Sequence, residues 1–296
     1  MSDRDSRAAG RSGGEMVLRV VFGIFMAFVA LGLAVVSDPR PFALVTLLLI
    51  LFAAREWHRL VRRPELRALI EGNKANMRPF HIQTIITTAA IGLGMAAVLL
   101  HVVWAGLALL VIGAVASFVW AQRMQDNPAW HAAGVFYLGL PALALVALRI
   151  FPTSAAGTWT IVGLFLIVWS TDTGALVFGK LIGGKKLWPA VSPGKTWAGT
   201  IGGTLAAMVV YALFAALLSV SPGPSLLFAA GMSVVAHLGD LLESGLKRHF
   251  GTKDSGGLIP GHGGALDRMD SMLLASVVLA LLVFGLHVNP MFGGHT

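Results

Sequence analysis

Nine apolar stretches, most close to the length that crosses a bilayer, follow one another along this chain and leave it little choice of fold. Hydrocarbon about 30 Å thick takes about 20 helical residues. The apolar runs fall at 16–36, 41–54, 83–100, 102–121, 131–150, 158–180, 196–219, 225–247 and 271–289. The second is short, and reaches span length if it extends through Arg55 to Trp57 or tilts. Most runs are apolar all round rather than striped, so they offer no face to water. Only 12% of the residues are charged and 56% are hydrophobic, about half the charge fraction of soluble domains. The expectation is an all-α polytopic integral membrane bundle of about nine transmembrane helices.

Lysine and arginine give the direction. With the amino terminus on the cytoplasmic side, the inside segments are 1–15, 55–82, 122–130, 181–195 and 248–270. With their immediate flanks they hold 20 of the 22 Lys and Arg residues, leaving Arg40 and Arg149 near the outer side. Short basic loops resist translocation, so the split supports both the helix count and a cytoplasmic charged end. The net charge of +8 is spread through these loops. It forms no basic arm or aromatic-interleaved patch, so nucleic acid is not an expected partner. Cysteine is absent, which excludes disulfides, thiolate metal sites and cysteine nucleophiles. Residues 1–15 are polar and rich in Gly and Ser, and read as a disordered cytoplasmic tail. Segment 55–82 reads as a solvated connector with an amphipathic helix. No internal repeat of the transporter kind is visible.

Carboxylates inside apolar spans are costly and mark function. Three of the 14 Asp and Glu residues fall there: Asp172 in the sixth span, Asp240 and Glu243 in the eighth. Asp172 precedes Lys180 by eight residues and Asp240 precedes Lys247 by seven. At the helical rise both lie about 10–12 Å inside the cytoplasmic helix end. Equal depth on different helices suggests one shared polar chamber. Asp240, Glu243, Ser244 and Lys247 share a helical face. Alone, that stripe reads equally well as an interhelical hydrogen-bond seam.

The following loop tips the balance. Residues 247–271 set Lys247, Arg248, Lys253, His262 and Arg268 among six glycines, with Asp254, Asp267 and Asp270. Gly-rich backbone approaches a phosphate closely, and Lys and Arg neutralise it. Asp267 and Asp270 open the last span from one side of its first turn. Oxygen donors beside phosphate suit a hard cation such as Mg2+; with no thiolate and few imidazoles such as His262 nearby, zinc does not fit. Upstream, Lys180, Lys185, Lys186, Ser192, Lys195 and Thr196 form a second basic loop leading to free N–H groups of the seventh helix. Gly194-Lys195-Thr196 is not a P-loop, because the motif's first glycine would fall on Pro189 and no strand is read before it. The run Gly261 to Leu266 fails the dinucleotide fingerprint at Leu266.

The order Ser244-Gly-Leu-Lys247-Arg248, Lys253-Asp254-Ser255-Gly256, Pro260-Gly261-His262-Gly263-Gly264, Asp267-Arg268-Met269-Asp270 resembles the signature of the phosphatidate cytidylyltransferases (CDP-diacylglycerol synthases). Asp172-Thr173 near Gly179-Lys180, and Ser192-Pro193 with Lys195-Thr196-Trp197, resemble the same family. The similarity covers about residues 165–275, with Ala198 where the family usually has Glu. It implies a nucleotidyltransferase of phospholipid biosynthesis in the inner membrane, with its active site facing the cytoplasm. CTP and phosphatidic acid would give CDP-diacylglycerol and pyrophosphate. Residues 16–150 would then be N-terminal transmembrane helices, and 151–296 the catalytic transmembrane region. The resemblance implies catalytic roles for Asp240, Lys247, Arg248, Asp267 and Asp270. It implies substrate contacts from Ser192, Lys195, Thr196, Ser244, Lys253, Asp254, His262, Gly263, Gly264 and Arg268. Mg2+, as one ion or two, would sit on Asp240, Asp267 and Asp270, with Asp172 as a further ligand or neighbour. A homodimer is expected on the same ground. The competing readings are a transporter or channel using the intramembrane carboxylates, and a CTP-dependent lipid kinase. A CDP-alcohol phosphotransferase would need an Asp-Gly pair, and none occurs here.

Overall fold

The computed structural model of the chain describes residues 28–72, 78–151, 153–220, 222–256, 264–285, 288–289 and 294–295. Helix α1 covers residues 28–35. It is followed by α2 (Arg40–Leu60), α3 (Pro64–Gly72), α4 (Arg78–Leu99), α5 (Val103–Arg123), α6 (Pro128–Ile150) and α7 (Ser154–Leu181). A ribbon of β1 (Lys186–Trp188) and β2 (Ser192–Thr196) leads to α8 (Trp197–Leu217), α9 (Pro222–His249) and α10 (Asp270–Ala280). A π-helical turn, Leu281–Gly285, extends α10, and a second ribbon pairs β3 (Val288–Asn289) with β4 (Gly294–His295).

The protein is an all-α polytopic membrane bundle, with these two short ribbons as its only strands among the described residues. Seven helices are long and apolar enough to cross a bilayer, and residues 270–285 form a shorter apolar helix. Most of the first predicted span and the tail 1–15 lie outside the described residues. Helix α2 takes the longer of its two expected forms, running through Arg55 and Trp57 to Leu60. Where a loop was expected after α7, Lys186 pairs with Thr196 and Trp188 with Ser192. Thr196 then caps α8, its hydroxyl accepting from Gly199 N at 3.1 Å.

Helix α6 is the axle of the bundle, touching α2, α4, α5, α7 and α10. One core joins its C-terminal half to α7, α8, α9 and α10 through Leu148, Ile161, Leu164, Tyr211, Met232 and Leu279. The other joins it to α2, α4 and α5 through Ile50, Trp57, Ile91, Leu110 and Leu138. Long-range contacts define the two ends. At one end, Arg149 donates to the carbonyl of Val36, and Phe151 lies edge-on to His101 and Phe284 at 5.2 and 5.7 Å. The other end is polar. There Arg62 Nε donates to Asp126 Oδ2 at 3.0 Å, which also meets His131 Nε2 at 2.9 Å. His131 Nδ1 lies 2.8 Å from His58 Nδ1, and His58 Nε2 lies 2.8 Å from Thr87. Burial alone would push the Asp126 carboxyl up; His131 and the N–H groups of Arg63 and Asn127 outweigh it and hold the carboxyl well below its usual range. This chain of contacts fixes α2, α4, α6 and the α5–α6 turn against one another.

Helices α7 and α8 touch along a stripe of small residues, as helices in lipid do when backbones meet. A methyl group on Gly203 would lie 2.5 Å from the carbonyl oxygen of Thr171. On Gly199 it would lie 2.7 Å from that of Ala175. In an open helical position, replacing Gly by Ala gains about 1 kcal/mol. At Gly203 the sign should reverse: Gly203→Ala should cost about 1–3 kcal/mol through overpacking. Gly231→Ala, with nothing within 4 Å, should leave the protein as stable or more so. Thermal unfolding of both variants in detergent checks the pair.

Candidate active site

The polar end of α7, α8, α9 and α10 gathers most of the acids that the sequence sets inside or beside apolar spans. Asp240 on α9 meets Lys195 at the end of β2, Oδ2 to Nζ, at 2.5 Å. Ser244, one turn further, donates to Asp240 Oδ1 at 3.3 Å. Another turn on, Lys247 donates to Asp267 Oδ1 at 2.7 Å and lies 3.3 Å from Glu243 Oε1. The i, i+3, i+4, i+7 face thus forms as read, and its lysine bridges two acids.

Helix α10 enters this cluster through a short 3-10 turn, Leu266–Arg268. Gly239 makes the approach close: a methyl group there would lie 2.7 Å from the carbonyl oxygen of Asp270. Asp270 is therefore next to α9, within electrostatic reach of Asp240 and Glu243. Ser271 ties α10 to α7, its N–H bonding Asp270 Oδ1 at 2.6 Å and its hydroxyl bonding Asp172 Oδ1 at 3.2 Å. Asp172 in turn interacts with the charges of Asp270, Asp240 and Lys195. Asp172 and Asp240, set at equal depth by the sequence, thus lie within electrostatic reach of each other.

Asp267 spends both oxygens within the chain, Oδ1 on Lys247 and Oδ2 on Gly264 N at 2.9 Å. Burial would push its carboxyl up, but the Lys247 ammonium and the Gly264 N–H outweigh it and hold the carboxyl below the usual range. Arg248 is exposed and reaches the carbonyl of Val191 at 3.4 Å, linking α9 to the β1–β2 ribbon. Lys253, Asp254 and Arg268 lie exposed at the rim, and Ser192 is half-buried at the start of β2. The Thr196 hydroxyl is occupied in capping α8. His262 and Gly263 lie outside the described residues. Among the described residues, no three His, Asp or Glu side chains are gathered as ligands around one point. Asp172, Asp240 and Asp270 supply oxygen donors of the kind a hard divalent cation takes, while lysine ammonium groups pair with three acids, Asp240, Glu243 and Asp267.

Two acids outside the expected site set complete the picture. Glu243 is fully buried beside Lys247 and within reach of Asp270 and Asp267; its place on the polar stripe was the signal. Glu56, on α2, reaches the loop before α10, where its Oε2 accepts from Leu266 N at 2.9 Å. No local pattern marked it. Beside the acids runs an apolar cleft of about 180 Å³, lined by Phe136, Leu140, Leu242, Leu274 and Val277, with Asp270 among its walls.

Because Asp267 has a lowered carboxyl, its stabilising contribution is complete above its unfolded value near pH 4 and lost as pH falls through the folded value. Thermal unfolding of the parent and Asp267→Asn should therefore differ by a constant amount above about pH 5 and converge as acid is added below about pH 4. A gap that persists unchanged to about pH 2 would contradict the Lys247 pairing.

Comparison with known proteins identifies the family. A sequence profile described as the cytidylyltransferase family matches residues 17–286. A phosphatidate cytidylyltransferase of Brucella suis is 45% identical over 178 residues, covering 59% of this chain and 65% of that protein. Proteins of the same name from Staphylococcus haemolyticus and Staphylococcus aureus are 46% and 44% identical over 159 and 135 residues. Those matches cover 53% and 45% of this chain, and 59% and 52% of the two proteins. The matched region thus spans less than two thirds of these relatives' length. The profile covers nearly the whole chain, including the acids and lysines just described, and the protein belongs to the cytidylyltransferase family.

Proposed function

We propose that this protein is a phosphatidate cytidylyltransferase, joining CTP to phosphatidic acid to give CDP-diacylglycerol and pyrophosphate at the cytoplasmic face of the inner membrane. One observation carries the reading: a cluster of acids and lysines, suited to phosphates and a cation, lies against an apolar cleft that suits a lipid chain. Its family membership and the names of its relatives support the reaction class. The excess of Lys and Arg in the loops at that end supports the cytoplasmic orientation. A cation path is disfavoured, because Ile161, Leu164, Met232, Leu279 and Val283 build an apolar core in the same helices.

In this reading a phosphate oxygen of the lipid attacks the α-phosphorus of CTP. The new P–O bond forms as the bond to the bridging oxygen breaks, and pyrophosphate leaves with the electron pair. A phosphate monoester is already anionic, so no enzyme nucleophile or activated hydroxyl is needed. The barrier is repulsion between anions and their alignment, which fixed charges reduce. Lys195 and Lys247 present ammonium groups held in place by Asp240, Glu243 and Asp267, and Arg248 and Arg268 add charge at the rim. Phe136, Leu140 and Leu242 would hold an acyl chain so that its headgroup lies at Asp270. Asp240 and Asp270, flanked by Asp172 and by the lone pairs left on Asp267, would hold Mg2+, which when bound neutralises phosphate charge and stabilises the leaving pyrophosphate.

The test is purified protein with labelled CTP, phosphatidic acid and Mg2+, with liponucleotide and pyrophosphate both measured. Equal amounts of the two are expected, and Asp270→Asn should lower turnover by at least about a hundredfold with folded yield retained. A phosphorylated lipid alcohol with release of CDP would replace this reading by the kinase.

A further inference from the structure

Glu56 is 3% exposed and sits in the last turns of α2, far in sequence from the acids of the site. Its Oε2 accepts from Leu266 N at 2.9 Å and from Ser255 Oγ at 3.3 Å, across 210 and 199 residues of chain. Ser255 and Leu266 stand at the two ends of the Gly-rich loop, so one carboxylate ties its neck. Two glycines close over that carboxylate. A methyl group on Gly256 would lie 2.5 Å from Oε1, and one on Gly264 would lie 2.5 Å from Oε2. Neither position has room for a side chain while Glu56 is in place.

The anchor itself is held firmly. Adjacent Trp57 stacks on Tyr137 at 4.7 Å and donates to the carbonyl of Trp130 at 3.0 Å. His58 is bound to His131 on α6 and Thr87 on α4. On the other side of the neck, Leu266 begins the turn that carries Asp267 and runs directly into Asp270. An N–H at the start of such a turn has no partner within the helix, and a carboxylate is the strongest acceptor for it.

We propose that Glu56 is a positioning residue for the reaction proposed above: it holds the loop neck closed and thereby sets Asp267, with its Lys247 partner, and Asp270 relative to α9. It touches neither reactant. Small displacements at a reacting centre cost about a hundredfold in rate, so Glu56→Ala should lower kcat by about ten- to a hundredfold. It should also raise the Mg2+ concentration needed for half-maximal rate. A residue that serves stability alone would change neither in protein that remains folded.

Two further measurements secure the test. Trypsin cleavage after exposed Lys253 should be faster in Glu56→Ala, and this arm reads the neck without any turnover. In Glu56→Ala the space over Gly256 is freed. Gly256→Ala should therefore cost much less activity in that background than in the parent, a coupling expected of groups in contact. If Glu56→Ala fails to fold, Glu56→Met, which keeps the length of the side chain but removes the oxygen that accepts from Leu266 and Ser255, decides by the same rate and cleavage measurements. Parental kcat, Mg2+ dependence and cleavage in the folded variant would overturn the proposal, as would faster cleavage with unchanged kcat. A parent protein without cytidylyltransferase activity would instead remove the proposed reaction, leaving the cleavage comparison to decide whether Glu56 ties the neck.

Discussion

A carboxylate buried among apolar helices must find a cation or lose its charge, and the polar end of this bundle is organised around that necessity. Lys247 lies between Asp267 and Glu243, and Lys195 is held against Asp240. The Lys247–Asp267 and Lys195–Asp240 pairs each join pieces of chain that would otherwise be independent. The first ties α9 to the turn before α10, and the second ties the β1–β2 ribbon to α9. The result is a set of fixed charges in a low-dielectric setting, where positioning is worth more than in water. Removing one partner would leave an uncompensated charge, so the same contacts serve both fold and site.

The N-terminal helices contribute more than hydrocarbon thickness. The contacts of Arg62, Asp126, His131, His58 and Thr87 hold α2 in register with α4 and α6. Through α6 that register passes to α10, which lies against it. The close α7–α8 contact at Gly199 and Gly203 sets the base from which Lys195 reaches Asp240.

Features encoded locally were legible in the sequence. Hydropathy and length placed the spans, and helical spacing put Asp240, Glu243, Ser244 and Lys247 on one face. Equal depth along two helices put Asp172 and Asp240 within electrostatic reach of each other. What escaped depends on pairings between distant segments. Nothing near Glu56 announces Ser255 and Leu266 as its partners, because that contact exists only once α2, α6 and α10 have come together. The β1–β2 ribbon is too short to show a period of two, and α10 with its π turn reaches 285 rather than 289. Lys195 read as a phosphate contact, but its tertiary partner Asp240 was hidden by the distance along the chain between them.

In the proposed reaction the acids where α9 meets α10 would hold a divalent cation against a triphosphate. Electron paramagnetic resonance of Mn2+ with the purified protein and CTP tests it most directly. A bound Mn2+ signal with coupling to nucleotide phosphorus is expected, lost when Asp240 and Asp270 are both replaced by Asn in folded protein. Undiminished Mn2+ binding in that double variant, with the same phosphorus coupling, would contradict it.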